Sequence, residues 1–281
     1  MFRILADYIL TIITGIVAVA TIYGFFEKFF PLLSQDARFA VGFIIFLFAI
    51  FFFNYTRVKI KWGRKSKYAD TMSNITSGFS AIHQLERADE INIDAAVNAS
   101  KTLCNEIATA YTVITGTKCS ASIKLLEKDV DELGNIRAKA ITFARSNSPI
   151  RNPKDNNIKH WIDKNTDFLN IMEKIDEPRK YYFFNNNLPM KPRYQNTSFD
   201  IYDNPNIERN IVMNYIKWPL PYKSTIVVPI CPCNEPNKNT LVGFLCLDSA
   251  NLWAFKKKYD VELLTGLADG IYNLMKEVSE L

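Results

Sequence analysis

Hydrophobic positions crowd the start of the chain and then become periodic. Tyr8–Phe26 and Phe39–Tyr55 are runs of 19 and 17 residues without a formal charge. At about 1.5 Å of rise per helical residue, such runs approach the roughly 30 Å hydrocarbon layer of a bilayer. Two in tandem, joined by the short polar turn Glu27–Arg38, predict a two-helix transmembrane hairpin over residues 1–55. Six basic residues follow within eleven positions: Arg57, Lys59, Lys61, Arg64, Lys65 and Lys67. The connecting turn carries only Lys28 and Arg38, offset by Glu27 and Asp36. By the positive-inside rule this predicts a multi-pass protein of the inner (cell) membrane with both termini cytoplasmic. The basic cluster then anchors against anionic lipid, at about 1 kcal/mol per residue near the surface.

Past the basic run the period turns helical. Tyr68, Met72, Ile75, Phe79 and Ile82 repeat at intervals of four and three, the seam of a coiled coil or small bundle. Residues 56–91 are thus expected to form a basic juxtamembrane segment and a stalk helix. Two uses of that stripe stay open: packing against its own domain, or dimerisation. A helix over Ile93–Ile114 follows, closed by Thr115-Gly116-Thr117. Alternation over Cys119–Leu126 and Ile136–Phe143 predicts an antiparallel hairpin with a turn at Asp129–Asn135.

Arg145–Pro221 differs in texture, with many Asn, Pro, Lys and aromatic residues. Tyr181–Phe184 reads as a strand and Ile207–Ile216 as a short helix. Long connections of this kind in a compact domain form lids or binding loops. Thr225–Ile230 and Leu241–Asp248 then read as paired strands around a polar turn, Cys231–Thr240. A helix from Asp260 to Val278 is expected to end the domain, with Leu264, Leu267, Ile271, Leu274 and Val278 facing inward.

Charge and composition narrow the classes. The net charge of +5 arises in the basic run, which leaves the remainder close to neutral. No direct nucleic-acid partner is therefore expected. Five cysteines, an odd number without framework spacing, suit a reducing compartment. With two histidines and ten glycines, the chain offers no zinc motif, phosphate-cradling loop or nucleophile elbow. No catalytic residue and no metal ligand is assigned, and an enzyme is not expected.

Ser224-Thr-Ile-Val-Val-Pro-Ile230, Leu241-Val-Gly-Phe-Leu-Cys-Leu-Asp-Ser249, Phe255 and Leu263-Leu-Thr-Gly-Leu-Ala-Asp269 resemble the C-terminal half of a GAF domain. The helix ending at Ile114, a Thr-Gly turn and Ser120-Ala-Ser-Ile-Lys-Leu-Leu126 resemble its N-terminal half. The resemblance covers about residues 92–279. It implies an α+β class: an N-terminal transmembrane helical hairpin, then a GAF-like antiparallel sheet flanked by helices over residues 92–281. It also implies small-molecule binding between one sheet face and its covering loops. The cyclic-nucleotide signature of the family is broken, with Asp248-Ser249 at its Asn-Lys place. No cofactor is assigned; His160 beside Trp161 reads as a surface residue.

A pocket lining is expected from the middle loops: Asn185, Asn187, Arg193, Tyr194, Asn196 and Lys223 offer amide, phenol and cationic donors beside aromatic walls, suited to a planar or anionic metabolite. The expectation is a membrane-anchored sensory or regulatory protein that binds a small molecule, such as a nucleotide, or a protein partner, and signals by homo-oligomerisation or contact. The alternative is an effector of bacterial antiviral defence whose two membrane helices disrupt the bilayer when the cytosolic domain is triggered.

Overall fold

The computed structural model describes residues 34–87, 91–130, 136–148, 158–177, 181–202 and 217–281, with isolated positions outside those ranges. The chain divides into two compact units, Met1–Ser66 and Lys67–Leu281.

In the first unit the described residues other than Gly24, Lys28 and Ser34 belong to helix α1, Gln35–Glu86, which is 52 residues long. Its early turns carry Phe43, Ile44, Leu47, Phe48, Phe51, Phe52 and Phe53, all exposed. Among the described residues no helix is long and apolar enough to cross a membrane. The expected inner-membrane, multi-pass placement with both termini cytoplasmic is corrected accordingly. Tyr8–Phe26 lies outside the described residues apart from Gly24. Phe39–Tyr55 falls within α1, which continues through the basic run instead of stopping there. The effector alternative needs two membrane-crossing helices and has no support among the described residues.

The second unit is built on six antiparallel strands. These are β1 (Cys119–Val130), β2 (Ile136–Arg145), β3 (His160–Trp161), β4 (Phe183–Asn185), β5 (Ser224–Ile230) and β6 (Gly243–Ser249). They lie in the order β3-β2-β1-β6-β5-β4. Period-2 alternation divides their side chains between two cores. On one face Ala121, Ile123, Ile226, Val228, Leu245 and Leu247 pack against helices α2 (Ile93–Thr115), α4 (Lys257–Gly270) and α5 (Tyr272–Glu280). On the other, distal face Phe244, Cys246 and Val227 meet Phe168 and Ile171 of helix α3 (Thr166–Lys174), together with Leu188, Tyr194, Phe199 and Tyr222 from the loops. The fold is α+β, with helices on one face of the antiparallel sheet and α3 with its loops on the other.

The strand that ends in Pro229-Ile230 pairs with the Gly243-containing strand, as the resemblance implies. Glycine is required there, because a Cβ on Gly243 would stand 2.1 Å from the Lys124 carbonyl oxygen. Helix α2 opens on Asn92, whose side chain accepts from Asp94 N, and closes at Gly116 in the left-handed conformation. The single C-terminal helix expected over Asp260–Val278 is instead two, broken at Ile271. Ile207–Ile216 lies outside the described residues except for Tyr215.

The stripe read as a stalk seam turns inward. Ile75 and Ile82 are buried in the first core, and Tyr68 and Phe79 pack against it. Met72 is half exposed. One buried carboxylate joins three helices at this place. Asp260 accepts from its own helix's Lys256 N and from the Tyr68 hydroxyl of α1. Its carbonyl accepts from Tyr111 of α2 at 3.1 Å.

Candidate functional site

The distal sheet face departs from an ordinary core at its centre. On β1 the positions that point to it are Ser120, Ser122 and Lys124, and all three are buried. Lys124 is 2% exposed and donates from Nζ to Thr142 Oγ1 of β2 at 2.9 Å. Asp248 of β6 is also 2% exposed and accepts from Thr225 Oγ1 of β5 at 2.7 Å. Register places Asn185, Thr225, Asp248 and Ser120 in one row across four strands. Ser120 Oγ lies 3.2 Å from Ser146 Oγ. Ser122 is 1% exposed, and its hydroxyl has no hydrogen-bond partner among the described residues. Burying such groups is costly unless something satisfies them, which makes this row a feature in need of a use.

The cover is assembled from α3 and the loops beyond it. Asn165, ahead of α3, donates from Nδ2 to the Trp161 carbonyl at 2.7 Å and accepts from Thr197 N at 3.1 Å. Thr166 and Gln195 exchange two further bonds, Thr166 N to the Gln195 carbonyl and Gln195 N to Thr166 Oγ1. These ties fix the 195–197 loop to the start of α3. They aim Asp167 inward, where it is buried and accepts from Tyr194 OH at 3.4 Å. Asn196 Nδ2 donates to the hydroxyls of Tyr194 and Tyr222 at 3.1 and 3.2 Å. Phe168 stacks on Phe244 with ring centroids 4.7 Å apart, which closes one end. Tyr194, Phe199 and Trp218 pack edge and face at about 6 Å along another side.

The charges of floor and cover act on one another. Burial pushes the Asp167 carboxyl up to about 6, a backbone bond from Phe168 opposes the rise, and the negative Asp248 adds to it while Lys124 lowers it. Burial and the neighbouring Asp167 likewise hold the Tyr194 phenol above its ordinary value. A buried lysine, two buried carboxyls and a set of hydroxyls and amides thus share one electrostatic environment.

The residues expected from the sequence fall in different places. Tyr194 and Asn196 are buried members of the hydrogen-bonded cover. Asn185 ends β4 in the polar row, and its side chain accepts from Asn187 N at 2.7 Å. Asn187 Oδ1 is buried without a partner among the described residues. Arg193 is exposed at a positive φ of 55°, so its side chain leaves the group. Lys223 is tied by its backbone, its N–H to the Ser249 carbonyl and its carbonyl to Leu188 N. Of Arg57, Lys59, Lys61, Arg64, Lys65 and Lys67, only Lys67 has a described side chain, and it is half-buried. His160 is a correction: it is 2% exposed, not a surface residue, with Nδ1 2.8 Å from Thr197 Oγ1.

Sequence reasoning missed Ser122, Lys124, Asp167, Tyr222 and Thr225, and noted Asp248 only as part of a strand motif. A lysine inside the otherwise small and apolar run Ser120–Leu125 was the available signal.

Cys104, Cys119, Cys231 and Cys246 are buried free thiols, and Cys233 is exposed. Burial pushes the Cys231 thiol up to about 12, and the neighbouring Cys233 and Asp269 raise it further. Among the described residues no group of three or more His, Cys, Asp or Glu could hold a metal ion.

No family model matches the chain, and no curated protein matches it. Solved structures do. A structure described as a GAF domain is 14% identical, covers 72% of this chain and 88% of its own, and has a TM-score of 0.42. The GAF domain of a phosphoenolpyruvate-protein phosphotransferase from Coxiella burnetii is 12% identical over 74% of this chain and 98% of its own, with a TM-score of 0.40. A type II free methionine-R-sulfoxide reductase from Thermoplasma acidophilum is 14% identical over 65% of this chain and 96% of its own, with a TM-score of 0.39. Likenesses at this level carry no argument about chemistry.

Proposed function

We propose that this chain is a GAF-like sensory protein that binds a small molecule on the distal face of its sheet, beneath α3 and the loops around Tyr194 and Tyr222. One observation carries the reading. Ser122, Lys124, Thr225 and Asp248 are buried on one sheet face that, as a plain core, would be apolar. Polar groups converging inside an aromatic wall are the general form of a small-molecule site. The bound state is passed on by contact with a protein partner or by self-association.

The test is thermal unfolding of the full chain against a library of nucleotides, amino acids and organic acids. A ligand present at a hundred times its Kd stabilises the native state by about 2.7 kcal/mol. For a chain of this size that raises Tm by roughly 5–10 °C. The same ligand should fail to shift a Thr225→Val variant, in which Asp248 loses the hydroxyl that orients it. A library without a single hit on the folded protein overturns the reading.

A further inference from the structure

The distribution of charge across the floor goes further than the presence of a site. Lys124 pairs in register with Phe244, and Ser120 pairs with Asp248, so the cation and the anion occupy opposite ends of the same two strands. Phe244 and Asp248 lie four positions apart along β6, about 13 Å at the usual strand rise. Ser122, opposite Cys246, lies midway between them. Asp167 comes down from the cover and adds a second carboxyl, flanked by the Tyr194 hydroxyl. The Thr142 and Thr225 hydroxyls fix the directions of Lys124 and Asp248.

We infer that this site takes a zwitterion with separated charges, its anionic group toward Lys124, its ammonium group toward Asp248 and Asp167, and its middle over the Ser122 hydroxyl. The inference rests on the reading of the distal face as a ligand site. The Ser122 hydroxyl points to that face, and it is 1% exposed with no hydrogen-bond partner among the described residues. A ligand with a polar atom between its charges would complete it. A purely anionic metabolite would meet two carboxyls, and a purely cationic one would meet Lys124, so each is opposed by like charge in a poorly solvated place. A molecule carrying both signs in the right order is opposed by neither. ω-Amino acids and short peptides have that form.

The experiment is a titration of the full chain with 4-aminobutyrate, 6-aminohexanoate and glycylglycine, each beside its N-acetylated and its C-amidated counterpart, read by calorimetry and by the shift in Tm. The expected result is binding by at least one of the three and a loss of about tenfold or more when either end is blocked. Glycylglycine should lose affinity on Ser122→Ala, while 6-aminohexanoate, which has no polar centre, should not. If the N-acetylated forms bind equally well, the site is an anion site and the inference falls. If the amidated forms bind equally well, it is a cation site and the inference falls. If the series is silent while a nucleotide or another metabolite binds and loses affinity on Thr225→Val, the ligand class is wrong and the site reading stands. If nothing binds at all, both fall.

Discussion

Asp167 is held where its charged form is disfavoured. Its carboxyl rises from 3.8 to about 6, chiefly through burial, with Asp248 adding to the rise and Lys124 opposing it. The native state therefore binds more protons than the unfolded chain between about pH 4 and pH 6. The contribution of this group to stability is fully present below that window and is lost as pH rises through it. Two pK units correspond to roughly 3 kcal/mol at most. Asp167→Asn removes the charge while keeping an oxygen for Phe168 N. It should stabilise the protein at pH 7.5 by about 1–3 kcal/mol, with the gain vanishing near pH 4. Denaturant unfolding at the two pH values reads this directly. The other groups that face Asp167, which are Asp248, Lys124 and Tyr194, are unchanged in the variant.

At the scale of elements, the later part of α1 belongs to the folded domain and is not a free stalk. Gly78 allows the close approach: a Cβ there would stand 2.8 Å from Leu103 Cδ1 of α2. Ile82→Ala should cost about 2–5 kcal/mol, as for other buried isoleucines. Met72→Ala, on the exposed side of the same helix, should stay within about 0.5 kcal/mol. Paired urea melts separate the two, and equal small effects would restore the stalk. The heptad-like spacing of this stripe was legible in the sequence, but its partner was not, because the same spacing serves a coiled coil and a helix laid on its own domain. Strands β5 and β6 were legible almost to their ends, since runs such as Ile226–Ile230 are apolar on both faces. The break at Ile271 was hidden, because the inward stripe Leu264, Leu267, Ile271, Leu274 continues across it. The site was hidden for a related reason. Ser120, Ser122 and Lys124 alternate with Ala121, Ile123 and Leu125 as in a strand with one wet face. Only the docking of α3 and the 194–197 loop, contacts distant in sequence, takes that face out of water.

For the molecule as a whole, the apolar turns of α1 show how far composition reaches. Phe-rich sequence over 43–53 is as apolar in the structure as in the chain, and it is exposed there. What the sequence suggested beyond that, a membrane-crossing hairpin, needs an uninterrupted apolar length that no described helix supplies. The GAF-like resemblance implied a sheet covered by loops on one face, and the distal face is covered in that way, but it said nothing of the charges there.

The junction at Asp260 has a consequence for how the molecule opens. Three helices share this one buried residue: α4 through its first turn, α1 through the Tyr68 hydroxyl and α2 through Tyr111. Fraying any of the three near that point breaks one of these bonds at a buried residue. Amide hydrogens of residues 68–82, of α2 and of the first turns of α4 should therefore exchange with solvent as one cooperative unit, at a common opening free energy. In Tyr68→Phe, native-state exchange should split this unit: residues 68–82 should gain a faster opening of their own while α2 keeps its protection. Whatever loosens α4 in the intact protein then reaches α1 in the same event.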